Sequence, residues 1–179
     1  MKWHVIAGFG VAGLLVLRLY LGVLGSATSR FANFLRGPRA VIDYLRGKGE
    51  VPVGHSPLGG WSVAALLTFL IVTTAFGLFS SDEDGLDAGP FASNLSFDQT
   101  HLASSLHNIA FECLIALIVL HIATNLVYLA RRRNLVWPMV TGVKWSDKKT
   151  TAPKFVHPLV AAIGLILAAC TFAFLWRLA

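Results

Sequence analysis

Residues 106–129 read LHNIAFECLIALIVLHIATNLVYL, and the two histidines inside this otherwise apolar stretch, His107 and His121, decide how the chain is read. They stand fourteen residues apart. At about 3.6 residues per turn that is close to four turns, so both imidazoles lie on one helical face, about 21 Å apart along the axis. A histidine within hydrocarbon is costly unless it is paired, hydrated or bound to metal, and it is a common axial ligand of haem iron. The spacing suits two haems stacked across a bilayer.

The rest of the chain supports a membrane setting. Its 179 residues are 55% hydrophobic and only 13% charged, with a mean hydropathy of +0.66, too apolar for a soluble domain of this length. Four stretches, near Trp3–Leu24, Leu58–Phe79, Leu106–Ala130 and Phe155–Trp176, have the roughly 20 residues needed to cross a hydrocarbon core of about 30 Å. The expected fold is an all-α integral membrane four-helix bundle, one domain over residues 1–179, without internal repeats. Lys2 ahead of the first apolar run, with Gly25–Ala27 behind it, is also the outline of a secretory signal. The length of the run, and His4 and Arg18 within it, favour a span.

Charge orients the bundle. Arg30, Arg36, Arg39, Arg46 and Lys48 follow the first span, and Arg131, Arg132, Arg133, Lys144, Lys148 and Lys149 follow the third. The positive-inside rule puts both segments in the cytoplasm. The connection holding Asp82, Glu83, Asp84, Asp87 and Asp98 then lies outside, as do both termini, and is expected to be largely irregular because it is rich in turn formers. The net charge of +6 follows from this topology and calls for no nucleic-acid partner. Between the first two spans, SRFANFLRGPRAVIDYLRGKG mixes apolar and basic residues around Gly37-Pro38, the pattern of short amphipathic helices lying at the membrane interface. Cys113 and Cys170 lie in apolar spans without a CxxCH pattern, which argues against c-type haem attachment and against a disulfide framework.

Two histidines that share one haem must come from different helices at the same depth. His4 opens the first span and His107 the third, both from outside, so they form the best-matched pair. Small residues at Ala7, Gly8 and Ala110 would let a ring approach the backbone. The alternative for His4 is a water-exposed interfacial side chain. His121 lies deeper. Its leading partner is His157, at the cytoplasmic start of the last span with Pro158 in a first-turn position. His55, in GHSPLGGW, is the second candidate. His101 falls in the outer connection and is expected to face water. Arg18, fourteen residues after His4, either compensates a haem propionate at the inner level or snorkels to the cytoplasmic interface. Glu112, nine residues before His121, points half a turn away from the haem face.

These residues also carry a resemblance. WHVIAGFGVAGLLVLRLYLGVLGSATSRFANFLRGPRAVIDYL, GHSPLGGW, and LHNIAFECLIALIVLHIATNLVYL followed by NLVWPMVTG resemble the bacterial cytochrome b561 family, up to about Gly142. That family includes the cytochrome b subunits of nickel–iron hydrogenases and formate dehydrogenases. The resemblance implies a bundle in the bacterial inner (cytoplasmic) membrane that holds two haems b. Electrons would pass between a periplasmic redox protein, or the other subunits of an oxidoreductase, and the quinone pool. It implies His107 and His121 as ligands of separate haems, with His4, ahead of Arg18, completing the outer one. Family members usually carry a further upstream helix that supplies the partner of the inner histidine, and this chain starts at what resembles their second helix. The second haem is then absent, leaving one, or His157 substitutes, or another subunit supplies the ligand; substitution by His157 is the preferred expectation. Quinone would bind near the cytoplasmic haem, with His55 and the Arg30–Arg46 segment as candidate donors. The competing readings are a haem-free membrane anchor or assembly subunit and, third, a transporter using His121, Glu112 and Arg18.

Overall fold

Long runs of apolar residues without an internal proline leave the backbone no option in hydrocarbon but to bond within itself, and they form four long helices. The computed structural model describes residues 2–48, 54–82, 88–132, 134–142 and 154–178. The spans are α1 (Lys2–Leu24), α4 (Pro57–Gly77), α5 (Phe97–Ala130) and α7 (Pro158–Leu178), all long and apolar enough to cross a membrane. Between them lie two short helices, α2 (Phe31–Phe34) and α3 (Pro38–Leu45), and a further one, α6 (Val136–Thr141), after α5.

The helix starts are set by local chemistry. Pro57 opens α4 behind Ser56, whose hydroxyl accepts the Gly59 N–H at 3.1 Å, and Pro38 opens α3 behind Gly37. α5 begins at Phe97, well before the expected Leu106. Ser96 and Gln99 form a reciprocal capping box, and Asp98 sits in the first turn, where a carboxylate favours the helix dipole. His101 is therefore a helical residue and not part of a loop. The described parts of the acidic connection are also more ordered than its composition suggests: Ser81 bridges Ala88, a 3-10 turn spans Ala92–Asn94, and the Ser104 hydroxyl donates to the Ser81 carbonyl at 2.8 Å. Glu83, Asp84 and Asp87, like Arg133, Lys144, Lys148 and Lys149, lie outside the described residues.

The spans pack as two antiparallel pairs, α1 with α7 and α4 with α5, joined by a lighter α1–α4 contact. Lipid offers no hydrophobic drive between helices, so close van der Waals approach has to hold them, and small residues supply it. A Cβ added at Gly13 would lie 2.7 Å from the Ala168 carbonyl oxygen, and one at Gly164 would lie 2.8 Å from Leu17. Phe9, Ala12 and Leu175 form the buried cluster between α1 and α7. At the arginine-rich end, α2 and α3 close the bundle as the amphipathic pattern predicts. Trp61 Nε1 donates to the Arg36 carbonyl at 2.7 Å, and the Tyr44 and Tyr128 hydroxyls meet at 3.2 Å, tying α3 to α5.

Replacing Gly13 by Leu forces side-chain atoms onto the α7 backbone and should destabilise the detergent-solubilised chain by about 1–3 kcal/mol. Gly10→Ala, where an added Cβ meets nothing within 4 Å, should leave the melting temperature unchanged. A thermal melt of both variants followed by tryptophan fluorescence checks this pair.

Candidate haem site

The first turn of α1 and the upper part of α5 bring His4 and His107 together. Their ring centroids are 6.0 Å apart and their planes are nearly perpendicular, at 87°. With metal–imidazole bonds of about 2 Å and ring centres about 1 Å beyond each nitrogen, imidazoles on opposite sides of one metal have centroids roughly 6 Å apart. The two residues chosen by depth alone therefore stand at the separation that axial ligands of one haem iron require.

His107 is also oriented for that role. Its Nδ1 donates to the Thr73 carbonyl of α4 at 2.8 Å, which directs the Nε2 lone pair outward. A metal-binding imidazole is ordinarily fixed in this way, by a bond from its other nitrogen. Gly77, one turn beyond Thr73, makes room for the ring: an added Cβ would lie 3.0 Å from both Cε1 and Nδ1 of His107. The Thr73 hydroxyl is buried there without a hydrogen-bond partner. Gly8, by contrast, faces open space and does not press on either ring.

α1 and α5 run in the same direction, so Arg18 and His121, each fourteen residues further along, share a second level about 21 Å away. His121 repeats the arrangement of His107 against α4, with Nδ1 within 3.3 Å of the Ser62 hydroxyl. Arg18 turns toward the arginine-rich end. Its Nη1 donates to the Ser29 carbonyl at 3.2 Å, and the guanidinium lies 4.7 Å from the Phe31 ring centre and 5.8 Å from that of Phe34, the geometry of a cation–π pair. One of its five donors is used on Ser29.

The structure does not bring His157 or His55 to His121. His157 is exposed where α7 begins. Its Nδ1 accepts the Leu159 N–H at 3.2 Å, and the neighbouring Val156 N–H donates to Ser26 Oγ, which puts it about 10 Å beyond the Arg18 level. His55 lies seven residues before Ser62, also toward the arginine-rich end, with its ring 4.8 Å from that of Phe34 and Nδ1 buried without a partner. Burial, and then the positive charge of Arg18, hold its pKa below the usual histidine value. His101 is exposed and tilts against Phe97, and Glu112 is exposed on the side of α5 away from α4.

Four helices long and apolar enough to cross a membrane define a membrane protein, and His4 and His107 are the residues whose approach could hold a haem. A model of the family described as prokaryotic cytochrome b561 matches residues 1–142, and the chain belongs to that family. It is thus a membrane b-type cytochrome that functions in electron transfer. No curated protein and no solved structure matches the chain significantly.

Two outcomes are expected. Gly77→Val drives a side chain into the His107 ring and should lower haem content per chain, measured against Gly8→Val, which should not. His55 resists protonation in the folded state, so below about pH 6.5 the unfolded chain binds the extra proton and stability falls as pH drops. The melting temperature should decline between pH 7.5 and 5.5, and His55→Asn should flatten that decline.

Proposed function

We propose that the chain carries electrons across the bacterial inner membrane between a periplasmic redox partner and the quinone pool, through two haems b. The observation that carries this reading is the 6.0 Å pairing of His4 with His107. Bound haem supplies a one-electron iron couple. His4 and His107 would hold the outer haem between them, leaving substrate no place on the metal, and their surroundings would set its potential. The Thr73 carbonyl makes His107 a stronger donor, which favours the oxidised state, while the Arg18 charge near the second level favours the reduced one.

The positive-inside rule supports a cytoplasmic α2–α3 end, with the start of α1 and the end of α7 toward the periplasm. His121, bonded to Ser62 as His107 is to Thr73, is the ligand proposed for the inner haem. Because His157 and His55 both lie nearer the cytoplasm than His121, filling the inner site requires one of them to shift outward, with His157 preferred, or a ligand from a partner subunit. Quinone would bind at the cytoplasmic end, where His55 presents an unpaired nitrogen against Phe34 and beside Arg18.

Haem stoichiometry tests this reading. A pyridine haemochrome assay should give two haems b per chain for the purified protein and one for His121→Ala. A drop to one in His157→Ala assigns that residue as the inner ligand. A count of two in both His157→Ala and His55→Ala assigns the ligand to another chain, and a count of one in the unaltered protein removes the inner haem from the proposal.

A further inference from the structure

α4 runs behind both histidines of α5 and offers each a different acceptor. At the outer level His107 Nδ1 donates to the Thr73 backbone carbonyl at 2.8 Å. At the second level His121 Nδ1 lies 3.3 Å from the Ser62 side-chain hydroxyl, longer than the usual range of about 2.7–3.2 Å. Both positions of α4 carry a hydroxyl, so residue type alone does not account for the difference. Thr73 keeps its own hydroxyl buried and unpartnered while its carbonyl takes the imidazole.

The residue one turn further along α4 accounts for it. In an α-helix the side chain at i+4 leans back over the turn that holds the carbonyl of residue i. Four residues after Thr73 stands Gly77, where an added Cβ would lie 3.0 Å from both Cε1 and Nδ1 of His107. With no side chain there, the ring tips onto the backbone. Four residues after Ser62 stands Leu66, half-buried, whose side chain leans over the Ser62 carbonyl and leaves the hydroxyl as the acceptor within reach.

Acceptor strength passes through an imidazole to whatever its Nε2 binds. A carbonyl that takes the Nδ1 proton at short range makes the ring a stronger donor and favours the oxidised metal, and a long contact to a hydroxyl does so less. The Arg18 cation near the second level acts in the same sense, because a positive charge disfavours the more positive oxidised state.

We infer that α4, through Gly77 and Leu66, sets the two levels at different potentials, the outer below the inner, so that electrons run downhill from the periplasmic side toward the cytoplasm. This inference rests on the two-haem reading above. Each transfer moves one electron inward and no proton, since each Nδ1 proton stays on its histidine. The reaction that supplies the electron is then the oxidation of a low-potential donor on the outer side, and the reaction that consumes it is quinone reduction at the inner end. Gly77, Leu66 and Ser62 act through the two histidines and are positioning residues.

The test is a redox titration of the purified, haem-loaded protein, followed in the Soret band and paired with a haem count. Two components are expected, at least tenfold apart in the equilibrium between them, about 59 mV for one electron. His121→Ala should keep the lower one. Gly77→Ala, whose Cβ displaces the His107 ring by tenths of an ångström, should raise the lower component and leave the upper in place. Leu66→Gly, which uncovers the Ser62 carbonyl, should lower the upper component. Ser62→Ala, which removes the hydroxyl without disturbing the packing, should raise it. Two haems at one shared potential, an upper component retained in His121→Ala, or potentials unmoved by both Gly77→Ala and Ser62→Ala would overturn the inference and leave the two-haem reading standing. A count of one haem in the unaltered protein would overturn both.

Discussion

Two imidazoles from different helices brought to one depth inside a membrane are costly unless something meets both, and much of this structure bears on that pairing. His4 sits in the first turn of α1 and His107 about three turns into α5, so their approach ties together two helices whose main packing partners lie elsewhere, α7 and α4. α4 holds His107 through a backbone carbonyl that no side-chain substitution removes, and Gly77 leaves room for the ring. Tight α1–α7 packing at Gly13 and Gly164 stiffens the helix that carries His4. A pair of side chains is as exact as the elements that hold it, and here His4 and His107 each have a supporting neighbour helix.

The second level shows the same logic partly carried through. His121 leans on Ser62 as His107 leans on Thr73, and Arg18, the charge in the interior of α1, reaches from that level to the aromatic rings of α2. This contact couples a residue at the inner level to the amphipathic segment that caps the bundle, and from there to His55 through Phe34. The buried, unpartnered nitrogen of His55 and the buried, unpartnered hydroxyl of Thr73 fall one near each level. A buried polar atom without a partner is uncommon in a native fold and marks a place where a bound molecule or water completes the structure.

Much of this was legible in the sequence because the membrane imposes lengths and depths. Spans follow from runs of about 20 apolar residues, and the His4–His107 pair follows from matching depth on helices of known direction. The start of α5 was less legible: Asp98, Gln99, Thr100 and His101 read as polar loop, although the Ser96–Gln99 capping box was there to be seen. The supporting groups of the site were hidden for a physical reason. Thr73 acts through its carbonyl and Gly77 through the absence of a side chain, and neither leaves a chemical signature in a sequence. The order of helices was hidden too, because spans that are apolar on every side do not reveal which face meets which neighbour. The level of His157 depends on how α7 slides along α1, a matter of Gly13 meeting Ala168 that residue types do not announce.

The central claim, that His4 and His107 are the two axial ligands of one haem, is tested most directly by the spin state of the iron. Electron paramagnetic resonance of the oxidised, purified protein should show only low-spin haem. His4→Ala should convert one haem to a high-spin or exchangeable form while leaving His107 in place. A His4→Ala variant whose haem stays fully low-spin, with its full haem content, would contradict the assignment and require another partner for His107.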